Sequence, residues 1–527
     1  MNVYVSIRGM PAPSRTWPPA RIPYARSMVE IDATDTSNPG SRIVIPAQSR
    51  RTPRSRSRSE DGWMRAEGSI TFGSVYGVRP LDLPSAAPRG IIAGMDEGAK
   101  GDGSGPVEPA PIGSQVPASP RAAGWSRRMR IGLAVGLVAA AILRLALLPT
   151  IGLRSDTDQF VGWIHALATR LPLGEAYRLD LSYPPVMVYV FWALAHLVPA
   201  FGTATDAGDL AARIALKTPA AVADLGLALG VAYLLRERPR WAIGAALAVA
   251  FLPLTWYLSA WWGQLESIYV LLGLLAAILV LADHPIAAAA VLGLAVMAKP
   301  QAFPFLVPFA AYAIGRYGWR RAAVFGIVTG AVAAATWFPF LADGGPSRYL
   351  GNVGRYQDEI FPVLSTRAWN AWWLVQEPAT GGAFLSDTGR LLGPLTPRLI
   401  GYGLAGLGEM AVFLAVLRRP TRDGLLLGLA ASVLVAFCFL TTMHERYAYG
   451  AVIFLAAATS GRVRPAVWAV LAVAATANVI AAGPPSTVPG SLIPLGGIVG
   501  IAGSVAMLGV AAGVVLFLRP RPPRASG

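Results

Sequence analysis

The chain has 527 residues, of which 54% are hydrophobic and only 14% charged, and its mean hydropathy is +0.50. This composition is typical of a polytopic α-helical membrane protein and argues against a soluble enzyme. The formal charge of +16 raises the question of a nucleic-acid partner, but the basic residues are scattered through the N-terminal tail and short loops. No nucleic acid is therefore expected as a partner. The single Cys438 excludes an internal disulfide and a cysteine-rich metal site.

Residues 1–126 differ in composition from the rest of the chain. They are rich in Pro, Ser, Gly and Arg, include an arginine-serine run at 49–58, and have no sustained apolar periodicity. Such a segment cannot bury enough apolar surface to offset its ordering entropy, so we predict a disordered basic tail. A second hypothesis is that translation begins at Met95. Residues 127–527 form the membrane domain.

From Met129 onward, apolar runs approach the roughly 20 residues that cross a bilayer. The predicted fold is an all-α polytopic membrane protein of about 12–13 membrane segments. Long external loops are expected after the first crossing and in mid-chain, at 342–397. We predict crossings near 129–149, 213–235, 240–258, 266–282, 285–298, 302–316, 321–341, 398–417, 423–441, 447–460, 465–482 and 496–518.

The short basic loops predict the orientation of these segments. Arg127, Arg128 and Arg130 precede the first crossing, which places the N-terminus in the cytoplasm. With the crossings above, the remaining arginine-rich loops also lie inside, provided that the apolar segment 185–201 is re-entrant or lies along the outer surface. A full crossing there, with an error elsewhere in the count, is the alternative. High Ala, Gly and Arg content suggests a GC-rich bacterial genome, so the expected location is a bacterial plasma membrane.

This topology collects polar motifs on the external face. They are Asp156 and Asp158 with Trp163, Tyr183-Pro184-Pro185, Gln264 and Glu266 after a Trp-Trp-Gly run, Lys299, the loop containing Asn370, and His444-Glu445-Arg446. The tryptophans also fit an interfacial aromatic belt, and Lys299 and Arg144 could simply extend to the headgroups. Ionisable groups at membrane segments are costly, however, and their sharing one face favours a functional site.

The residue types in this set suit one kind of chemistry. Lys299 and Arg446, and with them Arg144 and His444, are cations placed to hold a lipid phosphate. Asp156 or Asp158 could act as general base on a hydroxyl nucleophile. Aromatic faces suit the apolar side of a sugar ring. These roles together describe glycosyl transfer from a lipid-phosphate sugar.

From about residue 129 to 450 the chain resembles the GT-C superfamily of polytopic glycosyltransferases. It is similar to bacterial polyprenyl-phosphate-sugar-dependent mannosyltransferases and to the dolichyl-phosphate-glucose-dependent glucosyltransferases. The resemblance is carried, in order, by Asp156, Asp158 and Trp163, Tyr183-Pro184-Pro185, Arg213, Lys217, Ala223-Asp224-Leu225, Gly263-Gln264, Ser267, Lys299, Gln301, Asn370, Trp373 and His444-Glu445-Arg446. It implies an inverting transfer with a loop aspartate as base.

The sequence therefore leads to one function and two alternatives. The donor would be a polyprenyl-phosphate mannose or glucose, and the acceptor a cell-envelope glycan or lipid, with Glu266 and Asn370 contacting sugar or acceptor. No metal or other cofactor is predicted, although Asp156 and Asp158 could together hold a divalent cation. The alternatives are a transporter or flippase of lipid-linked sugars, and a polymer-forming ligase. Membrane lipids are the other expected partners.

Overall fold

The computed structural model describes residues 125–391, 393–459, 463–485 and 492–518. Within these ranges the chain is predominantly helical, and its β-structure consists of two short strands and two isolated bridges. The predicted disordered tail and the hypothesis on Met95 lie outside the described residues, apart from positions 125 and 126.

The α-helices follow one another along nearly the whole described chain. They are α1 (Arg127–Leu147), α2 (Arg154–Thr169), α3 (Pro185–Leu197), α4 (Leu210–Leu234), α5 (Pro239–Phe251), α6 (Pro253–Trp256), α7 (Glu266–Leu281), α8 (Pro285–Val296), α9 (Leu306–Tyr317), α10 (Trp319–Thr336), α11 (Gly345–Arg355), α12 (Trp373–Thr380), α13 (Pro397–Arg418), α14 (Arg422–Phe439), α15 (Tyr449–Ala457), α16 (Val463–Ala482) and α17 (Gly497–Leu518).

Shorter helical turns and one strand pair connect these helices. The 3₁₀ turns are Leu173–Arg178, Pro199–Gly202, Pro300–Phe305 and Phe338–Phe340, and the π-helical segments are Tyr257–Trp262 and Tyr356–Ile360. The strands β1 (Ser365–Thr366) and β2 (Met443–His444) pair in parallel, with Thr366 opposite His444.

Six helices of the described residues are long and apolar enough to cross a membrane, or seven if the bent pair around Pro253 is one span. They are α1, α4, α13, α14, α16 and α17, which lie within a few residues of six predicted crossings. Most of the other predicted crossings are shorter helices, such as α8 with 12 residues and α15 with 9. A 12-residue helix is about 18 Å long, well short of a hydrocarbon core of about 30 Å.

The predicted crossing at 240–258 is broken in the structure. Helix α5 ends at Phe251, and the next helical segment leaves at an angle of 41°. Leu252 between them has φ −59° and ψ 126°, because the residue before a proline is disfavoured in the helical region. Pro253 also lacks the N–H that would continue the helix. A sequence pattern that is apolar throughout does not reveal such a break by its hydropathy alone.

The segment predicted to be re-entrant or superficial forms α3. It begins at Pro185, where a proline is well placed because the first helical N–H has no partner. Its 13 residues extend about 20 Å, which is too short for a full crossing. Whether α3 enters the membrane or lies on its surface stays a prediction.

The helices pack around a core in which α14 and α15 are almost completely buried. Helix α14 contacts α13, α15 and α17, while α4 packs between α5 and α7, and α8 between α7 and α10. Helix α1 keeps most of its apolar residues exposed, with Ile131, Val135 and Val138 each more than half exposed. Exposed aliphatic side chains on such a helix are those expected to face lipid.

Several of the basic loops meet at one end of these helices. Arg422 Nη2 donates to the carbonyl oxygens of Leu234 at 2.7 Å and Ala457 at 3.1 Å, at the ends of α4 and α15. Trp125 Nε1 donates to the carbonyl of Arg236 at 3.1 Å. The loops that the charge pattern predicts on one side of the membrane are thus in contact. Which side that is stays a prediction.

Asp387 ties the mid-chain loop to the start of α13 by an ion pair and to the segment after α14 by a hydrogen bond. Asp387 is fully buried and accepts hydrogen bonds from Arg398 Nε at 2.8 Å and Nη2 at 2.9 Å. Thr441 Oγ1 donates to the same carboxylate at 2.7 Å. Together with the pairing of β1 and β2, this arrangement fixes the loop against His444.

Candidate functional site

Asp156 lies in the first turn of α2 and is held by two N–H donors from a distant segment. Trp262 Nε1 donates to its Oδ2 at 3.1 Å, and Gln264 Nε2 donates to the same oxygen at 2.5 Å. The side chain is partly exposed, so its carboxylate remains accessible while it is oriented. A carboxylate fixed by charge-assisted hydrogen bonds is suited to accept a proton from a bound hydroxyl.

The side chains of Trp262 and Gln264 both reach Asp156 because the backbone turns at Gly263, which lies between them in the sequence. The π-helical segment Tyr257–Trp262 ends at Gly263, whose φ of 97° lies in the left-handed region that favours glycine. Lys217 Nζ, which is buried, donates to the carbonyl of Trp261 at 2.7 Å and to that of Thr150 at 2.6 Å. This lysine therefore fastens the end of the π-helical segment to the loop before α2. Short π-helical segments are frequent at functional sites.

Asp158 has different partners. Its Oδ1 accepts from the backbone N–H of Ala207 at 2.9 Å, and its Oδ2 pairs with Arg154 Nε at 3.3 Å. Asp156 and Asp158 therefore point to separate partners. Among the described residues, no group of three or more His, Cys, Asp or Glu side chains is arranged to hold a metal ion.

A set of buried charges is formed around Glu266, the first residue of α7. Lys299 Nζ lies 2.5 Å from its Oε1, and Arg446 Nε lies 3.3 Å from the same oxygen. Arg446 Nη1 also donates to Glu445 Oε1 at 2.7 Å. Two cations are thus balanced by two carboxylates. We call Asp156, Gln264, Glu266, Lys299, His444, Glu445 and Arg446 the polar cluster.

The charges of the cluster act on one another. Burial raises the pKa of Glu445, but Arg446 and His444 lower it more, so that the net pKa is about 2. Burial and Arg446 lower the pKa of His444 below its usual value, which makes the imidazole neutral at pH 7. Burial lowers the pKa of Lys299, and Glu266 opposes this shift. The carboxylate of Glu266 thus offsets part of the effect of burial on Lys299.

Asp156 lies close enough to the buried charges to interact with them. Burial lowers the pKa of Lys299 and of His444, and the negative charge of Asp156 opposes this lowering in both. The guanidinium of Arg446 lies 5.7 Å from the ring centroid of Trp262, the side chain that donates to Asp156. Segments from α2, α7, the α8–α9 connection and the α14–α15 connection thus converge.

Aromatic side chains surround this cluster. Lys299 Nζ lies 5.5 Å from the ring centroid of Tyr183 and 5.7 Å from that of Tyr447. Tyr356, in the second π-helical segment, places its hydroxyl 3.4 Å from His444 Nε2. Burial raises the pKa of Tyr356 to about 12, so the phenol is protonated at neutral pH. Aromatic faces next to cations provide both apolar contact and cation–π attraction.

The structure places Arg144 elsewhere. It is 2% exposed, and its Nε pairs with Asp224 Oδ2 at 3.1 Å. Its other nitrogens donate to the carbonyls of Ala140 and Ala250 and to Thr255 Oγ1. The guanidinium is therefore engaged inside the helix bundle, because an arginine within an apolar helix needs a counter-charge and acceptors. The predicted phosphate contact of Arg144 has no support in this position.

Asn370 and Trp163 also have partners outside the polar cluster. Asn370 is fully buried; its Nδ2 donates to the carbonyl of Phe437, and its Oδ1 accepts from two backbone N–H groups, including that of Trp373. Trp163 Nε1 donates to Asp180 Oδ1 at 2.9 Å, and its ring packs against Tyr183. Asn370 thus shapes the mid-chain loop, and Trp163 supports a ring that borders the cluster.

The sequence did not predict the contacts of three side chains at the site. Trp262 fits an interfacial belt, yet it orients Asp156. Tyr356 lies in the long loop without a recognisable motif, and Tyr447 simply follows the His-Glu-Arg run. The Trp-Trp-Gly-Gln sequence carried a usable signal for Trp262, since a glycine that permits positive φ follows it directly.

The described residues thus place most of the predicted site residues together: Asp156, Gln264, Glu266, Lys299, His444 and Arg446, with Tyr183 beside them. Asp158, Asn370, Trp163 and Arg144 lie in other networks. No known protein-family model matches the chain, and no curated protein has significant sequence similarity to it.

Proposed function

We propose that this protein is a multi-pass membrane glycosyltransferase of GT-C type. It would use a polyprenyl-phosphate-linked hexose, mannose or glucose, at the external membrane face and transfer it to a cell-envelope glycan or lipid. The observation that supports this proposal best is the position of a partly exposed, oriented carboxylate, Asp156, beside the buried Lys299 and the mostly buried Arg446. A general base and a phosphate-binding pair are the two parts that such a transfer needs.

Asp156 is the better base of the two aspartates. Its Oδ2 is held by Trp262 and Gln264, which leaves Oδ1 with only a long contact of 3.4 Å from Ser155 Oγ. Asp158 has both oxygens engaged, one of them with a backbone N–H. Proton transfer requires a base within hydrogen-bond reach and with a free oxygen, which favours Asp156.

The cations keep donors for a phosphate in spite of their carboxylate partners. Arg446 donates through Nη1, its Nε lies 3.3 Å from Glu266 Oε1 without making a hydrogen bond, and no described residue accepts a hydrogen bond from its Nη2. Lys299 has three N–H donors, of which Glu266 takes one. Because Glu266 and Glu445 already balance the two cations, a lipid phosphate would be held by these remaining donors and not by an excess of positive charge.

Unpaired buried acceptors in the cluster and in the turn after Lys299 suit a hydroxylated ligand. Gln264 Oε1, Glu266 Oε2 and Gln301 Oε1 are buried and have no hydrogen-bond partner. An unpaired buried acceptor costs about 1–3 kcal/mol, which sugar hydroxyls would recover by donating to it. The rings of Trp262 and Tyr183 next to these acceptors would contact the apolar side of a sugar ring.

The reaction would then run as a direct displacement. Asp156 takes the proton of the acceptor hydroxyl, and the hydroxyl oxygen bonds to the anomeric carbon from the side opposite the phosphate. The bond between the anomeric carbon and the phosphate oxygen breaks, which inverts the configuration and releases the polyprenyl phosphate. Lys299 and Arg446 stabilise the charge that develops on that leaving group.

Proteoliposomes that contain the full chain test this proposal. They are given radiolabelled polyprenyl-phosphate mannose or glucose together with candidate glycan and lipid acceptors. Asp156→Asn keeps an oxygen for the two N–H donors but cannot take the proton, so transfer should fall about 10²–10⁴-fold. The matched control Asp158→Asn should retain near-normal transfer.

The same assay separates the alternatives. Near-normal transfer by Asp156→Asn, with no loss in Asp158→Asn either, would remove the proposed base. Movement of the labelled lipid across the bilayer without transfer to any acceptor would instead identify a carrier of lipid-linked sugars. Incorporation only from a lipid-linked oligosaccharide would identify a polymer-forming ligase.

A further inference from the structure

A second carboxyl group, outside the polar cluster, lies within a helix that is long and apolar enough to cross a membrane. Glu409 is near the middle of the 22 residues of α13, between Leu407 and Met410, whose side chains are 72% and 57% exposed. Ion pairs among the described residues do not include Glu409. An acid in this position is costly when ionised, so it calls for a physical explanation.

The partner of Glu409 is a buried serine on the neighbouring helix α14. Ser432 Oγ lies 2.6 Å from Glu409 Oε2 and 2.7 Å from the carbonyl oxygen of Pro304, and both are hydrogen-bond distances. A serine hydroxyl has one hydrogen to donate. A carbonyl oxygen can only accept. One of the two contacts must therefore take its hydrogen from somewhere other than Ser432.

The contact with Pro304 decides where the serine hydrogen lies. The N–H of Leu306 also reaches the Pro304 carbonyl, but a carbonyl oxygen has no hydrogen to give to Ser432 Oγ. The 2.7 Å contact is therefore a hydrogen bond only if Ser432 donates to Pro304, and the serine oxygen is left as an acceptor for Glu409. Both contacts are hydrogen bonds only if Glu409 Oε2 carries a hydrogen and donates it to Ser432 Oγ.

We infer that Glu409 is a proton-binding site within the membrane, a neutral carboxylic acid that reacts with lipid-soluble carbodiimides. The opposite assignment would leave a carboxylate without a cation in contact, and its Oε1, which has no donor in either assignment, would then share the unpaired charge. A neutral acid avoids the cost of burying an unpaired charge. It also links α13, α14 and the turn before α9 through one chain of hydrogen bonds. The inference does not depend on the proposed glycosyl transfer.

Infrared spectroscopy tests whether the proton is present. The full chain in lipid at pH 7 is compared with Glu409→Gln, which keeps the shape and can donate an N–H to Ser432. The C=O stretching band of a protonated carboxylic acid should be present in the wild-type chain and lost in Glu409→Gln. Glu359→Gln, a change at an exposed glutamate, should leave that band unchanged. Identical wild-type and Glu409→Gln spectra would overturn the inference.

Carbodiimide labelling tests the access from lipid. With dicyclohexylcarbodiimide the carboxyl proton moves to a carbodiimide nitrogen and the carboxylate oxygen bonds to the central carbon. The acyl group then shifts to nitrogen, and the N-acylurea that forms retains every atom of both reactants. Mass spectrometry of the labelled chain should find the adduct on Glu409 and not on Glu359. A water-soluble carbodiimide with an added amine should give the reverse pattern, and labelling of Glu409 only by that reagent would overturn the inference.

Discussion

The ion pair between Glu266 and Lys299 offers the sharpest test of the site geometry. Their side chains are 1% and 6% exposed, and Nζ lies 2.5 Å from Oε1. Removal of one partner leaves the other charge buried and costs about 3–5 kcal/mol. We therefore expect Glu266→Gln and Lys299→Met each to lower the free energy of unfolding by about that amount. The loss in Glu266→Gln lies toward the upper end, because Arg446 also loses a partner at 3.3 Å.

The double variant should be far less destabilised than the sum of the single variants. Replacing both charges removes the unpaired ion, so the interaction energy in a double-mutant cycle should reach about 2–3 kcal/mol. Unfolding in mixed detergent micelles, followed by tryptophan fluorescence, gives the four free energies. The exposed pair Arg154–Asp158, with side chains 64% and 34% exposed, is the matched control. The double-mutant cycle of this exposed pair should give an interaction energy of at most about 1 kcal/mol.

The cycle has a clear negative outcome. If the effects of Glu266→Gln and Lys299→Met simply add, or if their interaction energy equals that of the exposed pair, the two side chains do not share a buried contact. The phosphate-binding role of Lys299 would then lose its structural basis. Unchanged stability in Lys299→Met would likewise indicate a lysine that is not paired in the free protein.

Two further predictions concern the same site. Because the pKa of Glu445 falls from the usual 4.5 to about 2, its ionised form contributes stability above pH 4.5 that is lost as the pH falls toward 2. Stability measured against pH should decline by up to about 3 kcal/mol over that window, and Glu445→Gln should abolish this part of the decline. Gly263→Ala forces a side chain into positive φ and places its Cβ 2.9 Å from Thr157 Cγ2. It should cost about 1–2 kcal/mol and reduce transfer, whereas Gly244→Ala in the open part of α5 should be neutral or slightly stabilising; equal effects would contradict the geometry.

The sequence identified many residues of the candidate site, but it did not show which of them contact one another. Asp156, Lys299 and Arg446 were selected as polar residues that the topology places on one face, and the structure brings them together with Glu266. The predicted topology also placed Arg144 near this face, but its side chain pairs with Asp224 inside the helix bundle. A charge at the end of an apolar run has the same appearance in sequence whether it faces a ligand or a buried partner.

The apolar runs by themselves determined that the chain forms long hydrophobic helices, because helical length and apolar composition are properties of consecutive residues. This is why α1, α4, α13, α14, α16 and α17 lie where the runs predict them. Breaks and partners depend instead on residues far apart in the chain. Only the tertiary structure brings Trp262 to Asp156 across 106 positions and Ser432 to Glu409 across 23. A buried charge or hydrogen-bonding group has a sharply different energy with and without its partner, and sequence neighbours do not reveal which distant side chain supplies it.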